Sequence, residues 1–224
     1  EFYEGDTAVN ELHGYVTKMD STAMRDSITP VDDKRILPMT IATYGRKIDG
    51  ITYEIRSMDG QRLVAKSEVS DYKTNGNRIT ADLQIQNLLT ANDEYTLVIT
   101  LTSGKNEIYY YTRLMQTTDY YTTECLDFAL KFHDYTFRDD ADKFIPKYMD
   151  ATTGDNTTLN YVDLSCTLNQ ITWADLKPEV LGDVVASYKE INSSYNVITL
   201  DYVVTYVNDA GEIEVDNVGE YYRL

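Results

Sequence analysis

The sequence predicts a mostly β chain with α+β character, in which an N-terminal β-sandwich is followed by a domain of helices and an antiparallel sheet. Short runs with an apolar period of two fill residues 39–115. A helical period replaces them between Thr118 and Met149, and strand-like runs then return. We therefore expect two domains, 1–117 and 118–224.

Residues 1–38 are the least regular part of the chain. Leu12–Met19 is predicted to be a strand. Ser21–Pro38 contains two prolines and mixed charge, so we expect a long connection with one helical turn at Thr22–Asp26.

Strand signals become regular after Met39. The predicted strands lie at residues 51–55, 62–69, 79–85, 95–101 and 107–115. Turn dipeptides separate several of them, namely Asp59-Gly60, Asn75-Gly76 and Ser103-Gly104. This spacing is typical of a β-sandwich of immunoglobulin or fibronectin type III style, although the Cys–Trp–Cys marks of a true immunoglobulin domain are absent.

The segment after Thr122 predicts an amphipathic helix. Four apolar residues share one helical face: Cys125, Phe128, Ala129 and Phe132. A second, shorter helical piece is predicted from Asp139 or Asp140, with Phe144 and Ile145 facing inward and Pro146 ending or kinking it.

The rest of the chain is predicted to form a meander. We expect a polar loop at Thr152–Thr158 and strands at Leu159–Leu168, Asp183–Ile191 and Tyr195–Val207, with a last strand starting near Glu212. Helices followed by such a sheet resemble NTF2-like or cystatin-like folds. The last strand still runs at the final residue and the first residue is not Met, so we expect a fragment whose second domain is truncated at its C-terminus.

The net charge of −17 excludes some partners. Residues 139–224 are the most acidic part, with 16 acidic and 5 basic side chains. Such a surface repels phosphate backbones and anionic lipid, so we expect no nucleic-acid partner and no direct membrane binding by this fragment.

Few residues are suited to catalysis. His13 and His133 are the two histidines, and Cys125 and Cys166 are the two cysteines. Eight helical residues separate Cys125 from His133, a rise of about 12 Å, which is too far for direct proton transfer. We expect buried thiols, with a helix-to-sheet disulfide as the alternative, and for His133 a solvent or carboxylate partner.

Cofactor and metal motifs are missing as well. No P-loop, G-x-G-x-x-G or G-x-S-x-G pattern occurs. The acidic groups around Asp139–Asp142 and Asp209–Asp216 do not follow the calcium-loop pattern. We therefore expect neither a cofactor nor a metal.

The 20 tyrosines, against 5 phenylalanines and 1 tryptophan, are the most unusual feature. Tyrosines that point outward from a strand suit protein or glycan binding. The candidate ligand-binding residues are Tyr109, Tyr111, Tyr120, Tyr121 and Trp173. The alternative is that the tyrosines cover a sandwich face against the second domain. Trp173 is either a packed anchor or a ligand platform.

Four segments carry a resemblance to a known group of proteins: Met24–Pro30, Tyr53–Ser57, Gly154–Thr158 and Ile171–Trp173. They are similar to segments of uncharacterised, membrane-anchored extracytoplasmic proteins of Clostridia-type bacteria. The resemblance implies a location at the cell envelope and an anchor that this chain lacks. It implies no activity and no catalytic residue.

Together these patterns favour a non-enzymatic extracytoplasmic binding or sensor module, with a protein or glycan ligand at the cell surface. One alternative is a cell-wall or glycan-processing enzyme with facing carboxylates in a cleft. The other is a structural spacer. The sequence leaves the oligomeric state open.

Overall fold

The computed structural model describes residues 1–118, 120–150, 160–208 and 210–224. The protein is mostly β, with 47% of its described residues in strands and 13% in helices, and it contains two mixed sheets. The strands are β1 Phe2–Glu4, β2 Thr7–Val9, β3 Ile28–Val31, β4 Ile36–Ala42, β5 Gly50–Ser57, β6 Leu63–Glu68, β7 Tyr72–Asn75, β8 Arg78–Gln84, β9 Glu94–Ser103, β10 Asn106–Gln116, β11 Glu179–Ile191, β12 Asn196–Val207 and β13 Ile213–Arg223. The α-helices are α1 Thr122–Thr136 and α2 Leu168–Ile171.

The chain divides into two compact units. Unit 1 comprises Glu1–Thr122, Val185–Thr199 and Arg223–Leu224. Unit 2 comprises Thr123–Val184 and Leu200–Tyr222. Strands β11, β12 and β13 therefore contribute residues to both units, and the predicted domain boundary after residue 117 stays a prediction.

The strands form an eight-stranded sheet in the order β13-β12-β11-β2-β1-β4-β8-β7 and a five-stranded sheet in the order β3-β10-β9-β5-β6. The pairings of β3 with β10 and of β2 with β11 are parallel. The pairings of β5 with β6 and with β9, and of β8 with β4 and with β7, are antiparallel.

The predicted alternation of buried and exposed residues is confirmed in unit 1. Ile51, Tyr53 and Ile55 of β5 are buried, and the residues between them are not. The Tyr53 hydroxyl donates a hydrogen bond of 2.8 Å to the backbone oxygen of Gln84, which ends β8 in the other sheet. The buried faces of the two sheets thus meet, as expected for a β-sandwich-like class.

A buried asparagine joins three strands of unit 1. Asn10 is fully buried and has a φ of 54°. Its amide nitrogen donates to the Ile28 carbonyl and to Thr29 Oγ1, each at 2.9 Å. Its amide oxygen accepts from the Tyr188 backbone N–H at 2.9 Å. Because its amide hydrogen-bonds on both sides, Asn10 holds β3 and β11 against the end of β2.

Two predictions for the N-terminal segment are wrong. Leu12–Met19 is not a strand, and a single bridge joins Tyr15 to Tyr109 of β10. Ser21–Pro38 is not one connection, because it contains β3 and the start of β4. Pro30 is compatible with β3 because β3 is an edge strand, where a missing N–H is tolerated. The predicted helical turn is present as a 3₁₀ turn, but it lies at Ser21–Ala23 and does not reach Asp26.

The helical region of unit 2 is confirmed. Leu126, Ala129 and Phe132 of α1 are buried, whereas Cys125 is half-buried. The second helical piece consists of two 3₁₀ turns, Ala141–Lys143 and Ile145–Lys147. Pro146 lies near the start of the second turn, where a missing N–H is tolerated, so it does not end the helical piece as predicted. Phe144 lies between the two turns and Ile145 begins the second. Both side chains are buried in a hydrophobic cluster with Phe132 of α1, as predicted.

The predicted strand Leu159–Leu168 is wrong over its described residues, 160–168. The chain there forms turns that lead into α2. Local side-chain bonds favour turns: the Ser165 N–H donates to Asp163 Oδ1 at 2.9 Å, and Thr167 with Gln170 forms a capping box. The predicted loop Thr152–Thr158, and with it the segment Gly154–Thr158, lies outside the described residues.

The final meander is confirmed. The order β13-β12-β11 makes consecutive strands neighbours. Hairpin bonds close both turns, from the Asn192 N–H to the Tyr195 carbonyl and from the Asn208 N–H to the Glu212 carbonyl, each at 2.9 Å. Strand β13 ends the eight-stranded sheet.

Candidate functional site

Tyr109 and Tyr111, two of the predicted ligand residues, do not both point into solvent. Tyr111 is 7% exposed, so the prediction of an outward tyrosine is wrong there. The segment that contains Tyr15 and Met19 covers it: the Tyr15 ring lies 5.9 Å from the Tyr111 ring, and the Met19 N–H donates to the Tyr111 hydroxyl at 2.8 Å. Tyr109 stays half-exposed, and its hydroxyl donates to the Glu107 carboxylate.

The other predicted ligand residues differ in exposure. Tyr121 is 65% exposed and has a φ of 52°. Tyr120 is half-buried, and its carbonyl accepts from the Asn196 side chain at 2.7 Å. Trp173 is half-buried with its ring 5.3 Å from Phe137, so it is a packed side chain in unit 2.

Glu220 of β13 is the centre of a polar network inside unit 2. Its carboxylate accepts hydrogen bonds from the hydroxyls of Tyr202 and Tyr222, the first at 2.6 Å. His133 Nδ1 lies 2.9 Å from the same carboxylate oxygen that Tyr202 contacts. An ionised carboxylate only accepts, so the imidazole donates here. The prediction of a carboxylate partner for His133 is confirmed.

This network is suited to holding structure rather than to proton transfer by its tyrosines. Burial, and then the negative charge of Glu220, raise the pKa of Tyr202 and that of Tyr222. Both hydroxyls therefore stay protonated and remain donors at neutral pH. His133 is 7% exposed and packs against the rings of Tyr202 and Phe137 at 4.7 and 5.1 Å. The network thus fixes α1 on β12 and β13.

A charged cleft of about 470 Å³ lies in unit 1. Its lining residues are Arg25, Asp26, Glu94, Arg113, Lys189, Glu190, Ile191 and Asn192. Two of the carboxylates already face cations, since Arg113 Nη1 lies 3.2 Å from Glu94 and Lys189 Nζ lies 3.1 Å from Asp26. No lining residue is aromatic, so the cleft lacks a ring on which a sugar could stack.

The two cysteines are not joined by a disulfide. Cys166 is buried, and burial raises the pKa of its thiol. A protonated thiol is a poor nucleophile, so Cys166 is not activated for catalysis.

Strand β13 is the longest open sheet edge in the described part of the chain. It has 11 residues, whereas the other three edge strands, β7, β3 and β6, have 4, 4 and 6. Native proteins rarely leave a long edge unprotected, because unpaired backbone groups accept another strand.

The backbone groups at this open edge follow from the pairing of β13 with β12. Leu224 exchanges two hydrogen bonds with Asn196, and the Glu212 carbonyl accepts from Asn208. Even-numbered residues therefore bond to β12 at both ends of β13. Because backbone direction alternates along a strand, the N–H and C=O groups of residues 213, 215, 217, 219 and 221 point to the open edge.

The two faces of β13 differ in chemistry. Ile213, Val215 and Tyr221 share one face and are 76%, 58% and 67% exposed. Glu214 and Asp216 share the other face and are exposed. The Tyr206 hydroxyl hydrogen-bonds both carboxylates, at 3.1 and 2.8 Å, and these bonds raise the pKa of Tyr206 to about 12. The edge thus combines an apolar face with an ordered acidic face.

No family model and no curated protein matches the chain. Within residues 1–118, 120–150, 160–208 and 210–224, no group of three or more His, Cys, Asp or Glu side chains could hold a metal ion. Over the same described ranges, no helix has the length and apolar character needed to span a bilayer.

Proposed function

We propose that the chain is a non-enzymatic binding or sensor module of a bacterial envelope protein, and that it binds a protein segment along the open edge of β13. The observation that supports this most is the edge itself, with its outward backbone groups beside three exposed apolar side chains. Extended segments bind such edges by adding a strand, with main-chain hydrogen bonds giving affinity.

A protein ligand is favoured over a glycan because two of the five aromatic candidates are used in packing. Tyr111 is buried, and Trp173 packs on Phe137. The extracytoplasmic location, the anchor in another segment and the membership of a Clostridia-type envelope group rest on the resemblance of the four segments named above.

The finer fold assignment is also part of the proposal. We infer an immunoglobulin or fibronectin type III style for the sandwich of unit 1, since its two sheets meet through buried alternating residues. For unit 2 we infer an NTF2-like or cystatin-like arrangement, supported by α1 preceding the consecutive neighbours β11, β12 and β13.

A glycan-processing enzyme is the second candidate, and the cleft of unit 1 is the observation that favours it. Three carboxylates line that cleft, those of Asp26, Glu94 and Glu190. Against it, Glu94 and Asp26 already pair with Arg113 and Lys189. Release of reducing ends from cell-wall glycan, abolished by Glu94→Gln, would establish this function instead.

Site-specific photo-crosslinking tests the proposed function in cells that produce the protein natively. A benzophenone amino acid replaces Val215 on the edge or, as a matched apolar and exposed control, Leu88 of unit 1, which is 84% exposed. We expect a discrete protein adduct from position 215 and none from position 88. No adduct from position 215, or the same adducts from both positions, would contradict the proposal.

A further inference from the structure

The chemistry of the open edge of β13 indicates which kind of protein segment it binds. Resting on the proposed function, we propose that β13 receives an extended segment in which apolar residues alternate with lysine or arginine.

When an extended segment pairs with the open edge of β13, its side chains lie beside those of β13. Residues directly opposite each other in neighbouring strands point to the same face, with Cβ atoms about 4.5–5.5 Å apart. A strand added to β13 therefore places alternate side chains beside Ile213 and Val215, and the intervening ones beside Glu214 and Asp216. The first set must be apolar and the second set basic to match the faces.

Both faces of β13 present accessible groups that an added strand can contact. Ile213 and Val215 are 76% and 58% exposed, so an apolar partner removes their surface from water. Glu214 accepts from Asn208 Nδ2 at 2.6 Å and from the Tyr206 hydroxyl, which also bonds Asp216. The carboxylates are thus held in place, which lowers the entropic cost of pairing them with a cation.

Charge repulsion excludes a second copy of the chain as the occupant of the edge. Antiparallel pairing of β13 with itself about Val215 sets Glu214 of one copy opposite Asp216 of the other. Like charges directly opposite each other destabilise a strand pair. The region from residue 139 onward also carries 16 acidic and 5 basic side chains, so two copies repel each other as they approach. The same carboxylates that prevent self-association select a basic strand.

The test uses the whole chain and synthetic peptides of about seven residues. One fluorescein-labelled peptide alternates valine and lysine, a second alternates valine and glutamate, and a third has the composition of the first in blocks rather than alternation. Fluorescence anisotropy at low and high salt measures binding. We expect the alternating basic peptide to bind at least about tenfold more tightly than the other two and to weaken with salt.

Two variants locate the binding. Val215→Pro removes one outward N–H without breaking a bond to β12, and Val215→Thr is its matched control with the N–H kept. We expect at least about a tenfold loss for Val215→Pro relative to Val215→Thr. Glu214→Gln with Asp216→Asn should remove the salt dependence, whereas Asp71→Asn with Asp82→Asn, two exposed carboxylates of unit 1, should not.

Three results would overturn the inference: no binding of the alternating basic peptide, equal binding of the acidic or the blocked peptide, or binding that Val215→Pro leaves intact. Sedimentation that shows a dimer broken by Val215→Pro would also overturn it, in favour of a second copy. If crosslinks form at position 215 but the basic peptide does not bind, the proposed function stands and the partner chemistry is wrong.

Discussion

Replacing Tyr202 by phenylalanine removes one hydrogen bond to Glu220 and leaves the ring in place. Tyr202 is 4% exposed and its hydroxyl lies 2.6 Å from the carboxylate, which keeps its bonds to His133 and Tyr222. A hydrogen bond to a charged group contributes about 1.5–3 kcal/mol to stability. We therefore expect Tyr202→Phe to lower the free energy of unfolding of unit 2 by about 2 kcal/mol.

Urea unfolding followed by tryptophan fluorescence measures this change in unit 2 itself. Trp173 is the single tryptophan of the chain and lies in unit 2, packed on Phe137. Tyr206→Phe is a matched control, because Tyr206 also donates to two carboxylates but does so on an exposed part of unit 2. We expect no measurable change in the midpoint for the control.

Two results would contradict this prediction. If Tyr202→Phe leaves the unfolding midpoint unchanged, Glu220 is not held by this hydroxyl in solution. If Tyr206→Phe destabilises as much as Tyr202→Phe, burial is not the reason for the effect.

Two further predictions concern pH and packing. The pKa of Tyr202 and that of Tyr222 are raised in the folded state, so above about pH 10 the unfolded chain loses these protons before the folded chain does. The free energy of unfolding of unit 2 should therefore fall as the pH rises above about 10, and it should fall less steeply in Tyr202→Phe. Urea titrations between about pH 9 and pH 11 measure this slope. Gly14→Ala would place a Cβ atom 2.7 Å from Ile108 Cγ2 and should lower the free energy of unfolding by about 1–3 kcal/mol. At Gly50 the nearest atom to an added Cβ lies 4.0 Å away, so the control Gly50→Ala should melt at or above the wild-type temperature. Thermal melts that show the two variants alike would contradict this prediction.

The elements that the sequence predicted well are those whose pattern is local. The alternation in β5, β8 and β9 and the helical period of α1 depend on neighbours within a few residues, and each is present in the structure. The predicted strand up to Leu168 failed for an equally local reason. The turn bond to Asp163 and the capping box of Thr167 favour turns and α2 over the strand that the apolar alternation predicts.

The parts of the site that could not be predicted depend on residues far apart in the sequence. His133 and Glu220 are separated by 87 residues, and no local signal joins them. Tyr111 is buried because Met19, 92 residues away, reaches its hydroxyl. Asn10 contacts Tyr188 across a separation of 178 residues. Only the folded topology brings these pairs together.

In β13 the alternating pattern correctly predicts a strand, but the face of the strand that is buried is not the apolar one. Apolar residues alternate with acidic residues there, which ordinarily predicts that the apolar set is buried. In the structure, Glu220 and Tyr222, on the same face as the acidic pair, are the residues that pack against His133 and Phe132 of α1. Apolar side chains such as Val215 are consequently left on the exposed face.

Amide hydrogen exchange by nuclear magnetic resonance, with the alternating valine–lysine peptide at saturation, tests the docking edge most directly. We expect exchange to slow at Ile213, Val215 and Asn217, whose N–H groups point to the open edge. Exchange at Glu214 and Asp216, whose N–H groups already bond β12, should change little. If the bound peptide leaves the first three amides unprotected, or protects amides around Arg113 in the cleft of unit 1 instead, the peptide does not bind along the open edge of β13.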